Sequence, residues 1–198
     1  MRSHRHVVLV AAALVAAVVV LSAAACGGGG PTTYTNKDYK FQLTYDSSLL
    51  TESTSVASAG SAGGQSVFDV GFMDPKGTKS GDNYRDGLAV AVYKLTTTVT
   101  DAMMPAVKTE LESVLPQMQQ GLGSDAALGS LASVDVNDFK GFSCDASFTM
   151  DGTPFKAKLY FLINGNLEYQ VTAQAAESKW STMEPVFKTM MDSFKTAQ

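Results

Sequence analysis

The chain has 198 residues, with 15 Lys and Arg against 19 Asp and Glu for a net charge of −4, and is 45% hydrophobic. That suits one domain with a real core, and a mildly acidic chain without a basic block excludes nucleic acid as a natural partner. Both histidines, His4 and His6, lie in the first six residues, so the rest of the chain has no imidazole to act as acid, base or metal ligand.

Residues 1–6 are basic and residues 7–21 form an uncharged apolar run, the n-region and h-region of an export signal. The run closes on Leu21, Ser22, Ala23, Ala24, Ala25 and Cys26, followed by four glycines. This resembles the lipobox of a bacterial lipoprotein, in which a signal peptidase cuts before the cysteine and acyl chains such as palmitate are attached to its thiol. The leucine usual three places before the cysteine is replaced here by Ala23, with Leu21 two residues earlier. An uncleaved anchor and ordinary secretion are the alternatives, since residues 7–25 approach the ~20 that a spanning helix needs. The expected division is a signal peptide at 1–25, a lipidated Cys26 on a glycine-rich tether at 26–33, and a single domain at 34–198. The membrane is then a partner through the anchor on Cys26. The domain faces the extracytoplasmic side of the cell membrane, because the positive end of the leader stays inside. Removing Arg2 and Arg5 with the leader leaves 13 basic against 19 acidic residues, or −6. Cys144 is then the one remaining cysteine, without a disulfide partner.

Order is expected to begin near Tyr34. Lys37, Asp38 and Tyr39 suggest a turn, and Phe41, Leu43 and Tyr45 alternate with Gln42 and Thr44 as a strand with one buried face. Residues 51–66 are nearly all Ser, Ala, Gly and Thr, which predicts a loop, either a lid or a surface insertion. A strand over 67–73 leads into a charged loop at 74–87. Its Asp74, Asp82 and Asp86 lack the spacing and closing glutamate of an EF-hand, so a solvated hairpin loop is expected. Residues 88–95 are apolar on both faces, as in a central strand covered on both sides.

A helix follows over 101–118, capped by Asp101, with Pro105 near its first turn and Met104, Val107, Leu111, Leu115 and Met118 on one stripe. Pro116 is expected to kink or end it. Three strands come next. Phe142, Cys144, Ala146 and Phe148 line one face of the first, and Phe155, Ala157, Leu159, Phe161 and Ile163 one face of the second. Leu167, Tyr169, Val171, Ala173 and Ala175 do the same for the third. Asp151-Gly152 and Asn164-Gly165 mark the hairpin turns of a meander. Its polar outer face would present Lys156, Lys158, Tyr160, Gln170 and Thr172. A last helix over 181–195, capped by Ser181 or Thr182 with Pro185 in its first turn, puts Trp180, Met183, Phe187, Met190 and Phe194 on one shared apolar face.

Two ends of the domain carry a family likeness. Residues 39–45 (Tyr39, Lys40, Phe41, Gln42, Leu43, Thr44, Tyr45) resemble the opening of the PsbP-like fold, and residues 180–194 resemble its final helix. Asp46 stands where that family usually has proline. The resemblance extends over residues 34–198 and includes many bacterial lipoproteins, actinobacterial ones among them. It implies an α+β fold, an antiparallel sheet sandwiched by helices, and a binding or assembly role. No shared catalytic motif comes with it.

No nucleophile elbow, phosphate loop or metal-ligand spacing occurs in the sequence, and no cofactor motif is present. A serine–lysine or carboxylate mechanism is left open by the residues but supported by no pattern. The expected function is a lipid-anchored binding or accessory module of the cell envelope, without catalysis, whose partner is an unidentified envelope protein or lipid. It is expected to bind at the loop end of the sheet rather than on its helical faces, through the polar meander face and the loops at 51–66 and 74–87. The alternative is a carrier for a lipid or other apolar ligand in an internal cavity walled by the Met- and Phe-rich helices. Cys144 is expected to be a packed, unreactive thiol.

Overall fold

The computed structural model describes residues 29–53 and 66–198. The leader, Cys26 and most of the serine- and glycine-rich segment lie outside the described residues. Among the described residues no helix is long and apolar enough to cross a membrane.

Strands β1 (Pro31–Asn36) and β2 (Phe41–Asp46) form a hairpin. The first strand thus begins at Pro31, three residues before the expected start near Tyr34. The short β3 (Thr51–Ser53) pairs with β4 (Phe68–Met73), so the predicted loop at 51–66 opens with a strand. A small hairpin, β5 (Lys79–Ser80) and β6 (Asn83–Tyr84), interrupts the charged loop before β7 (Gly87–Lys94). A 3-10 turn at Asp101–Met103 leads into α1 (Met104–Leu122). Then come β8 (Ala127–Leu128), β9 (Ala132–Val136), β10 (Phe139–Met150), β11 (Thr153–Asn164), β12 (Leu167–Ala176) and α2 (Glu177–Ser193).

The main sheet is antiparallel in the order β3-β4-β7-β12-β11-β10-β8, with β9 also pairing on β10. β7 is central, as its two apolar faces require. One side packs α2 and the β1–β2 hairpin against Val90, Phe72, Tyr169 and Leu162. The other packs α1 against Phe142, Leu159, Phe161 and Phe155. If each large side chain contributes ~1.5–3 kcal/mol on burial, both helices are strongly held.

The meander β10–β11–β12 exists, but its polar residues do not share a face. The turn after Asn164 is the two-residue loop Gly165–Asn166, with Gly165 at φ 64°. It pairs Asn164 with Leu167 and therefore every odd position of β11 with an even position of β12: Phe161 opposes Gln170, and Leu159 opposes Thr172. Opposed residues point to the same side of a sheet. Lys156, Lys158 and Tyr160 thus face the α2 side, whereas Gln170 and Thr172 face the α1 side. The apolar residues of β12 correspondingly cross to the α2 side.

Both helices differ from expectation at their ends. α1 runs through Pro116 to Leu122, and Asp101 makes no cap, pairing instead with Lys140. α2 begins at Glu177, four residues before the expected cap at Ser181, and has no side-chain cap of its own. Asp86, expected in a solvated loop, is fully buried. Its carboxylate accepts the backbone N–H groups of Ala176 and Thr78 and an ion pair from Lys179 at 3.1 Å. A buried carboxylate surrounded by donors is satisfied by the protein, and its place at the helix start matches the positive end of the helix dipole.

Candidate functional site

α2 covers only part of its side of the sheet, leaving a gap over β10 and β11. The result is a groove of about 660 Å³. Ser143, Lys158 and Tyr160 form its floor, Trp180, Glu184, Phe187, Lys188 and Met191 its α2 wall, and Val134 and Val136 of β9 the opposite wall. A second groove of about 480 Å³ continues along α2 past Leu128, Asp145, Ser147 and Lys156. Trp180 and Glu184 line both.

The sequence explains why this wall stands where it does. Met183, Phe187, Met190 and Met191 face the sheet and are buried, which turns Glu184 and Lys188 outward and leaves Trp180 half-buried at the lip. The Trp180 ring lies 6.1 Å from that of Phe187. Both ends of α2 are tied to distant segments. Asp86 holds the start. At the finish, the Asn137 side chain donates to the carbonyls of Asp192 (3.0 Å) and Phe194 (2.8 Å). Asn137 sits in the β9–β10 turn at φ 50°, a left-handed geometry that asparagine tolerates well. Ser193 adds a bond from its Oγ, which accepts the Thr44 N–H at 2.8 Å.

The groove carries charge of both signs. Lys158 pairs with Asp145 at 3.6 Å and Lys188 with Asp192 at 2.6 Å. Glu184 has no ion pair among the described residues. Burial, then Asp145, Asp192 and Glu184, push the Tyr160 hydroxyl up to about 12, so it stays protonated.

On the other side of the sheet, Glu168 is fully buried on β12. Its Oε1 accepts a hydrogen bond from Gln170 Nε2 at 2.8 Å, while Oε2 has no hydrogen-bond partner among the described residues. Burial raises its pKa to about 7; the Gln170 bond opposes the rise and Glu110 of α1 adds to it. Tyr93, opposite it on β7, is raised to about 12 by burial and by Asp69 and Glu168. Among the described residues no group of His, Cys, Asp or Glu is arranged to hold a metal ion.

Of the residues singled out in the sequence, Lys158 and Tyr160 belong to the groove, Lys156 to its extension, and Gln170 and Thr172 to the opposite side. Cys144 is buried against α1, and burial followed by Asp145 raises its thiol to about 11. Trp180, Glu184 and Lys188 were not legible as site residues. Their helix reads as a core element, and only its uneven coverage of the sheet exposes its flank.

No family model matches the sequence, and no curated protein matches it significantly. Solved structures do. The cyanobacterial PsbP (CyanoP) of Synechocystis sp. PCC 6803 superposes with a TM-score of 0.55 at 17% identity, covering 88% of this chain and 98% of that one. A protein of Bacteroides thetaiotaomicron VPI-5482 gives 0.53 at 9% identity over 85% of this chain, which spans about half (49%) of that longer protein. LpqN of Mycobacterium tuberculosis, described as involved in cell envelope biogenesis, superposes more loosely at 0.48 and 12% identity, covering 87% of each chain. At these identities the likeness is one of fold, and the chain has the PsbP-like α+β fold, an antiparallel sheet between helices that closes on a C-terminal helix.

Proposed function

We propose that this protein is a non-catalytic binding module, held at the extracytoplasmic face of the cell membrane by acyl chains on Cys26, and that it binds its partner in the groove beside α2. One observation carries the choice of site. α2 is tied at both ends, by Asp86 and by Asn137, so the wall bearing Trp180 stands fixed over Tyr160 without being packed down onto it. A preformed, partly apolar groove with a few polar groups is the usual character of a binding site. The anchor rests on the lipobox-like run ending at Cys26, and two or more acyl chains would hold the protein firmly where one would not. The carrier reading has less behind it, since both grooves open to solvent and the Met- and Phe-rich stripe of α2 is packed in the core.

The test uses full-length protein purified from its native membrane, as wild type and as Tyr160→Ala and Trp180→Ala variants. Intact-mass spectrometry is expected to find a mature chain starting at acylated Cys26, and an unmodified Cys26 in the membrane-bound protein would remove the anchor. A partner recovered in stoichiometric amount with wild type should be lost from both variants while thermal unfolding still shows a cooperative transition. Equal recovery with the folded variants would remove the groove.

A further inference from the structure

The charges along the groove decide what kind of partner suits it. Lys158 and Lys188 are already held by Asp145 and Asp192. Glu184 is exposed and has no ion pair among the described residues, although Lys188 stands one turn further along the same helix. It lies one turn from Trp180, and the two together line both grooves. The Tyr160 ring lies on the floor of the same groove as Glu184, whose charge acts on the Tyr160 hydroxyl. Aromatic faces beside an unmatched carboxylate attract a cation, by the ring quadrupole and by direct charge. The two grooves run one after the other along α2 and open to solvent, a shape that takes an extended chain better than a compact molecule.

We infer that the groove takes an extended segment of a partner protein bearing lysine or arginine, whose cationic side chain lies against Trp180 and Tyr160 with Glu184 as its counter-charge. This rests on the groove being the binding site. The acidic balance of the chain, −4 overall, favours approach of a basic partner over an acidic one. Arginine suits the seat better than lysine where the planar guanidinium can lie on the indole.

Trp180 is the single tryptophan of the chain, so its emission reports on this groove directly. The probes are three capped octapeptides in which valine alternates with lysine, with glutamate or with serine, titrated into the full-length protein in detergent. The lysine peptide is expected to shift Trp180 emission saturably, more weakly as salt rises, and the other two are expected to do nothing. Glu184→Gln should weaken the lysine peptide about tenfold or more, and Glu184→Asp should restore most of the loss. Position 184 is exposed, so these variants fold. No response to the lysine peptide, an equal response to the serine or glutamate peptide, or an unchanged affinity in Glu184→Gln overturns the inference. If it falls in that way while recovery of the native partner still depends on Trp180 and Tyr160, the groove stands as the site and only the class of partner is wrong.

Discussion

The Asp86 carboxylate accepts the backbone N–H of Ala176 at 2.9 Å, and so closes the start of a helix that lies 90 positions further along the chain. Burial alone would raise its pKa. The hydrogen bonds from Thr78, Ala176 and Lys179 outweigh that and hold it below the usual carboxylate range. Asp86→Ala leaves these donors unmatched in the interior and is expected to cost about 3 kcal/mol. Because the folded pKa is depressed, the stabilisation is present above the unfolded value near pH ~4 and is lost as pH falls through the folded value. Urea unfolding of wild type and variant should converge at acid pH, and a gap that stayed constant would show that the charge is not involved.

Glu168 has the opposite sign. Its pKa rises from 4.5 to about 7 on folding, chiefly through burial. The neutral form is the one the interior accepts, so its contribution is complete below about pH 4.5 and disappears as pH climbs to about 7. By linkage the difference is about 3 kcal/mol. Glu168→Gln keeps the shape without the ionisation, and its stability should stay level over that window while that of wild type declines. A wild-type curve that rises from pH 5 to 7 would show that Glu168 is charged in the fold.

Asn137 ties the end of α2 to the β9–β10 turn through two side-chain bonds. Asn137→Gly tolerates the positive φ and removes only those bonds, so it should cost about 1–2 kcal/mol. Asn137→Ala adds backbone strain and should cost more. Hydrogen exchange is expected to speed up in the last turn of α2 in both variants, and exchange there as slow as in wild type would assign the hold to Ser193 and the core instead.

Cys144 packs with Phe142, Leu159 and Phe161 beneath α1, and its thiol is raised to about 11. The reactive thiolate is therefore scarce at neutral pH. A thiol reagent should label the native protein far more slowly than the protein in denaturant, and equal rates would overturn the packed assignment.

Much of the architecture was legible from residue order. Period-two alternation marks β2, β10, β11 and β12, the doubly apolar run marks β7 as central, and the three- and four-residue spacings mark both helices. These are local signals, carried by neighbours in sequence. The side each polar residue faces was also implicit, since a two-residue turn pairs odd positions with even ones, but it emerges only when the register of the whole hairpin is followed through. The helix ends were not legible, because the groups that set them are remote: Asp86 for the start of α2 and Asn137 for its finish.

The sequence by itself determined the strand meander with its terminal helix and the packing of Cys144, because hydrophobic period and turn chemistry are properties of contiguous residues. It also supplies the Cys26 motif that motivates the anchor. The tertiary structure alone decided where a partner can bind. Trp180 and Glu184 come from α2, Tyr160 and Lys158 from β11, and they line one groove only because α2, pinned at both ends, covers part of the sheet and leaves a groove over β10 and β11. A site made of what a helix fails to cover depends on the placement of whole elements, and no run of neighbouring residues encodes it.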